Sequence, residues 1–140
     1  MTAPHLPVRM VLAKAGLDAH ERGIHVLAHG LRDAGFEVIY VGLRQSPEAI
    51  VSTAVQEDAD IIGLSSLAGG HVSFTGRVLH QLRDVEDPPL VVLGGLIPEE
   101  DRPGLLAAGV HTIVALESSI KDIAAELSAA AQRRRENHHG

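Results

Sequence analysis

At 140 residues, 45% of them apolar but only 2% aromatic, the chain suits a single domain whose core is built from Val, Ile, Leu and Ala. Eighteen acidic against twelve basic residues leave a formal charge of -6, which together with the lack of aromatic platforms excludes a nucleic-acid partner. The absence of cysteine excludes disulfides and thiolate metal sites, and neither a leader-like start nor an apolar run of bilayer length is present, so no membrane partner and a cytoplasmic location are expected.

Short apolar runs alternate with longer amphipathic ones five times. The first run, 8–13, is rich in Val, Met and Leu and reads as a strand. A long connection follows, 14–22, which includes Asp18 two residues before His20, with Gly23 just beyond. From Arg22 the residues Ile24, Leu27, Ala28, Leu31 and Ala34 fall on one helical stripe, and Gly35 supplies a stop. The second strand is expected at 37–41. Ser46-Pro47-Glu48 then opens a helix with a capping hydroxyl, a proline at the first helical position and an acid in the first turn. The third strand is expected at 61–64, followed by a Ser- and Gly-rich segment, 65–71, and a helix over 72–84. A fourth strand, 90–93, leads into Gly94-Gly95, and a helix follows Pro98 to about Gly109. The fifth strand, 112–115, precedes a last helix from Ser118 or Ser119 to about Ala131. Residues 1–132 thus form one domain, and the polar stretch 133–140 is expected to fray.

Strict strand–helix alternation implies an α/β fold with right-handed crossovers and a parallel sheet covered on both faces. The flavodoxin-like (Rossmann-like) order 2-1-3-4-5 is expected, which puts the ligand crevice at the carboxyl ends of strands one and three. The loops there are 14–22 and 65–71. In the first, a carboxylate beside an imidazole would fix its tautomer and raise the basicity of the other ring nitrogen, as suits a metal ligand. Taken alone, a local turn with an exposed imidazole explains Asp18-Ala19-His20 more simply. Ser65-Ser66 and Gly94-Gly95 are, individually, ordinary loop chemistry. Together the three openings line one sheet edge with small residues and suggest a long, flat ligand.

The chain resembles the B12-binding domain of adenosylcobalamin-dependent acyl-CoA mutases. That family carries Asp-x-His-x-x-Gly, then Ser-x-Leu, then Gly-Gly; here these are Asp18-Ala19-His20-Glu21-Arg22-Gly23, Ser65-Ser66-Leu67 and Gly94-Gly95, over a likeness from about Val8 to Leu127. The resemblance implies that His20 binds cobalt from below in place of the cofactor's dimethylbenzimidazole. Asp18 would orient His20, Lys14 would support Asp18, and the displaced nucleotide tail would lie in a slot between the first helix and the sheet. Ser65 would hydrogen-bond in that slot, Leu67 would pack nearby, and Gly23, Gly94 and Gly95 would leave room. Ala115-Leu116-Glu117-Ser118 departs from the family's Gly-Pro-Gly-Thr, so no tail-binding role is carried onto it; this exchange looks more like small subunits of mutases for 2-hydroxyisobutyryl-type substrates. Ala19, where the family often has Gly, is a lesser departure.

The implied reaction is a radical carbon-skeleton rearrangement of an acyl-CoA. It requires an enclosing barrel of about 250 residues, far more than this chain holds. The expectation is therefore a small, cofactor-binding subunit, inactive alone, paired with a large TIM-barrel subunit in a heterotetramer. The alternative is a corrinoid carrier of a methyltransferase system, but such carriers usually add a helical cap, and roughly seven residues precede the first strand. A phosphate-receiving signalling module would need an aspartate where Ser65 stands. His25 and His29, four apart beside Arg32, read as a solvated helix face. His71 lies beside the proposed slot as a candidate contact for cofactor or partner, and Glu99, Glu100 and Asp101 read as first-turn acids that favour a helix dipole.

Overall fold

The computed structural model describes residues 7–14, 22–42, 45–66, 71–114 and 118–139. Five parallel strands, β1 (Arg9–Lys14), β2 (Glu37–Tyr40), β3 (Ile61–Ser66), β4 (Leu90–Gly95) and β5 (Thr112–Val114), form one sheet in the order β2-β1-β3-β4-β5. The expected strand order is therefore the observed one. In between run α1 (Arg22–Asp33), α2 (Pro47–Gln56), α3 (His71–Leu82), α4 (Arg102–Ala108) and α5 (Ile120–His139). A short 3-10 turn, Glu99–Asp101, leads into α4.

Each strand splits its side chains between two cores, as the two-residue period demands. Val11, Ala13, Ile62, Leu64, Val91 and Leu93 meet Ile50 of α2, Val78 of α3 and Leu105 of α4. Met10, Leu12, Ile61 and Val92 face Ile24, Ala28 and Leu31 of α1 and Leu127 of α5. The α1 stripe works as expected as far as Leu31; Ala34 lies beyond the helix and is exposed. At the start of α2, the Ala49 amide donates to Ser46 Oγ at 3.1 Å, with Pro47 directly behind. This is the capping that the sequence announced.

Among the boundaries that differ from expectation, the ends of β3, β4 and α5 have nameable reasons. Strands β3 and β4 run two residues further, because Ser65↔Gly94 and Ser66↔Gly95 pair in register despite their loop-like composition. Helix α5 continues to His139, beyond the end expected near Ala131. Its anchor is Asp60, buried at the amino end of β3. Arg135 donates to both Asp60 carboxylate oxygens at 3.0 and 2.7 Å, and Arg134 donates to Oδ1 at 3.3 Å. Arg134 also donates to the carbonyls of Asp87 and Pro88, and Arg135 to that of Pro7. The backbone amide of Arg9 completes the carboxylate's shell at 3.0 Å.

Candidate functional site

Strand order reverses between β1 and β3, so the crevice lies at their carboxyl ends, walled by the helices on either side. On the α1 side a cavity of about 270 Å³ separates the helices from the sheet. Ile24 and Leu27 of α1 and Ile123 and Leu127 of α5 form its walls; Leu12, Ser65 and Gly94 form its floor. A concave, mostly apolar space with two serines, Ser65 and Ser118, on its lining suits an organic ligand held by shape and oriented by few hydrogen bonds.

Glycines open this space in different ways. A Cβ on Gly23 would meet nothing within 4 Å, and one on Gly94 would meet only Val114 Cβ, at 3.8 Å. Either would project into free volume. Gly63, also on the lining, was not singled out from the sequence: its missing side chain is replaced by Met10, whose methyl would stand 2.2 Å from a Cβ. A glycine inside a strand was the available signal. Met10, an unbranched thioether, gives the floor an adaptable lining.

Gly95 lines the cavity too, but a different contact dictates its identity. It sits at φ +106°, where a Cβ would fall 2.1 Å from the carbonyl oxygen of Ser66. That close approach lets the amide of Leu96 donate to Ser66 O at 2.8 Å, clasping the ends of β3 and β4. Gly95→Ala is expected to cost about 2–4 kcal/mol, from left-handed backbone strain and a collision with main chain. Urea unfolding checks this, and an unshifted midpoint would contradict it.

Of the residues expected at the site, Gly23, Ser65, Gly94 and Gly95 line the cavity. Lys14 is buried at the end of β1, in register with Ser65. Asp18, His20 and Leu67 lie outside the described residues, as do Ala115, Leu116 and Glu117. Among the described residues no cluster of three or more His, Asp or Glu side chains could hold a metal, and no helix is long and apolar enough to cross a membrane. His25 and His29 are exposed; His25 meets the Tyr40 ring edge-on, and His29 lies 3.5 Å from Asp33.

His71 begins the buried stripe His71, Thr75, Val78 and Leu82 of α3, a helix that packs on the side of the sheet opposite the cavity. Its Nε2 lies 2.9 Å from Asp101 Oδ2. Asp101 makes no capping bond at α4, so its carboxylate serves His71 and not the helix end for which the sequence suggested it. Glu99 and Glu100 are exposed, as first-turn acids should be.

Comparison with known proteins agrees with this geometry. The chain is 42% identical over 109 residues to the small subunit of 2-hydroxyisobutanoyl-CoA mutase of Aquincola tertiaricarbonis, covering 77% of this chain and 80% of that one. It is 38% identical over 130 residues to the pivalyl-CoA mutase small subunit of Xanthobacter autotrophicus, covering 92% and 87%. Ethylmalonyl-CoA mutase of Cereibacter sphaeroides is 42% identical over 108 residues, which are 76% of this chain but 16% of that much longer protein. A cobalamin-binding protein from Desulfitobacterium hafniense shares the fold, with a TM-score of 0.75 at 19% identity over 89% of this chain and 59% of its own. The B12 binding domain profile matches residues 8–125. The chain belongs to the B12-binding domain family.

Proposed function

We propose that the chain is the cofactor-carrying small subunit of an acyl-CoA mutase, binding adenosylcobalamin base-off with His20 on the cobalt. The observation that carries this reading is the apolar cavity between α1, α5 and the sheet, open above Gly23 and Gly94, which fits a detached nucleotide tail. Cobalamin, when bound, supplies a cobalt–carbon bond whose cleavage starts a radical rearrangement.

The chain's own residues bind and orient. Ser65, at the cavity floor, offers a hydroxyl to the tail, and Gly23, Gly94 and Gly95 leave it space. Lys14, Asp18 and His20 follow one another from the end of β1 towards α1, with Leu67 two residues beyond Ser65. Asp18 holds the His20 tautomer, Lys14 supports Asp18, and Leu67 packs beside the tail. The acyl-CoA and the shielding of the reaction from water belong to a large TIM-barrel subunit in a heterotetramer. A branched substrate of the 2-hydroxyisobutyryl type fits the likeness to small subunits best. The setting is cytoplasmic.

Mixing the chain and its large partner with cobalamin tests the reading by absorbance. The base-off spectrum with histidine ligation should form with the natural chain and disappear in His20→Ala. Failure to retain any corrinoid, or an unchanged spectrum in His20→Ala, would overturn it.

A further inference from the structure

Gly63 stands in the interior of the central strand β3, in register with Leu12 of β1 and Val92 of β4. A glycine there weakens the strand, and a small fixed side chain would occupy the space above it at no such cost. That space is filled from elsewhere. A Cβ on Gly63 would meet the Met10 methyl first and then Leu12 Cδ1 at 3.1 Å. Met10 itself pairs with Ile61, two residues nearer the amino ends of the strands. Its buried side chain therefore leans towards the carboxyl edge, across much of a two-residue rise of about 7 Å.

Both Met10 and Gly63 line the cavity, so this lean sets its depth. Ser65 and Gly94 lie two residues above Gly63 on the paired strands β3 and β4. The tip of Met10 thus stands about 7 Å below their level, whereas the backbone of Met10 lies about 13 Å below it. Leu31 of α1 and Leu127 of α5, both fully buried, belong to the same core cluster as Met10 and also line the cavity. Among these residues Met10 has the unbranched, freely rotating side chain, and it rests on a hollow that a glycine leaves for its methyl.

We propose that Met10 is the end-stop of the cavity and selects among corrinoids by the size of the base that ends their nucleotide tail. A base that reaches past the Gly63 level must push the thioether out of its hollow, whereas a shorter one packs against it. The inference rests on the cobalamin reading, which it deepens by naming the residue that sets tail specificity.

Methionine-methyl NMR on the full-length chain with its large partner tests this, because the chain has only two methionines, Met1 and Met10. The spectrum of Met10→Leu identifies the Met10 signal. Adenosylcobalamin should shift that signal through the ring current of its base, while adenosylcobinamide, which lacks the base, should leave it near its ligand-free position. Absorbance records binding of both. In titrations the natural chain should prefer cobalamin about tenfold over a cobamide ending in the longer naphthimidazole, the discrimination expected of a small misfit in an apolar pocket. Met10→Ala, which withdraws the stop, should abolish that preference. Cobalamin bound with the Met10 signal unmoved, or moved equally by cobinamide, overturns the end-stop and leaves the cofactor reading intact. So does a natural chain without the preference, or a preference that survives in Met10→Ala. If Met10→Ala does not fold, the methyl signal of the natural chain decides alone. If the natural chain retains no corrinoid, the cofactor reading fails and the end-stop with it.

Discussion

Gly94→Leu is expected to fold normally and to lose cobalamin binding by roughly 5- to 140-fold, since forcing a ligand against a filled site costs about the 1–3 kcal/mol typical of overpacking. The position allows this separation of effects. Its backbone is not left-handed, and the nearest atom to an added Cβ is Val114 Cβ at ordinary contact distance. The rest of the new side chain would enter the cavity and bury apolar surface against Ile123 and Leu127, so the thermal midpoint should hold or rise. Absorbance titration alongside thermal unfolding checks both halves. A Gly94→Leu chain that binds cobalamin as tightly as the natural one would show that the tail lies elsewhere.

The largest loss of stability is expected from Asp60→Ala, about 3–5 kcal/mol, because it strands two buried or half-buried guanidinium groups that now share one carboxylate. Burial alone would raise the Asp60 carboxyl, but the hydrogen bonds from Arg135 and the Arg9 amide, with the charges of Arg135 and Arg134, hold it below the usual carboxylate range. A carboxylate lowered on folding stabilises above its unfolded value near 3.8, and that stabilisation disappears as pH falls through the still lower folded value. Between neutral pH and about pH 5 its contribution should be constant, then shrink in stronger acid. Chemical unfolding of the natural and Asp60→Ala chains across that range checks this. Their stabilities should differ widely at neutral pH and converge at the acid end; a gap that stays constant would contradict the linkage.

How far the sequence could be read follows from the range of the interactions involved. Strand order and the cavity edge were legible because β-branched runs, helical stripes and the Ser46 cap are local patterns, and alternating parallel units leave few topologies. What escaped was decided at a distance. Arg134 and Arg135 look like a solvated basic tail until Asp60, 75 residues from Arg135, is brought beneath them. His71 and Asp101 are 30 residues apart, and only the turn after β4 shows that each has the other as its partner. Gly63 stood in plain view, but its meaning depends on the Met10 side chain one strand over. Ser66 and Gly95 were read as loop because their composition is that of a loop; sheet pairing with each other extends the strands.

The cavity under α1 and α5 leaves part of the helix–sheet interface there with no atoms to attract. Compression acts on such voids first, and so does thermal breathing. A ligand seated in the cavity would replace those missing dispersion contacts, so binding should leave the protein denser and stiffer.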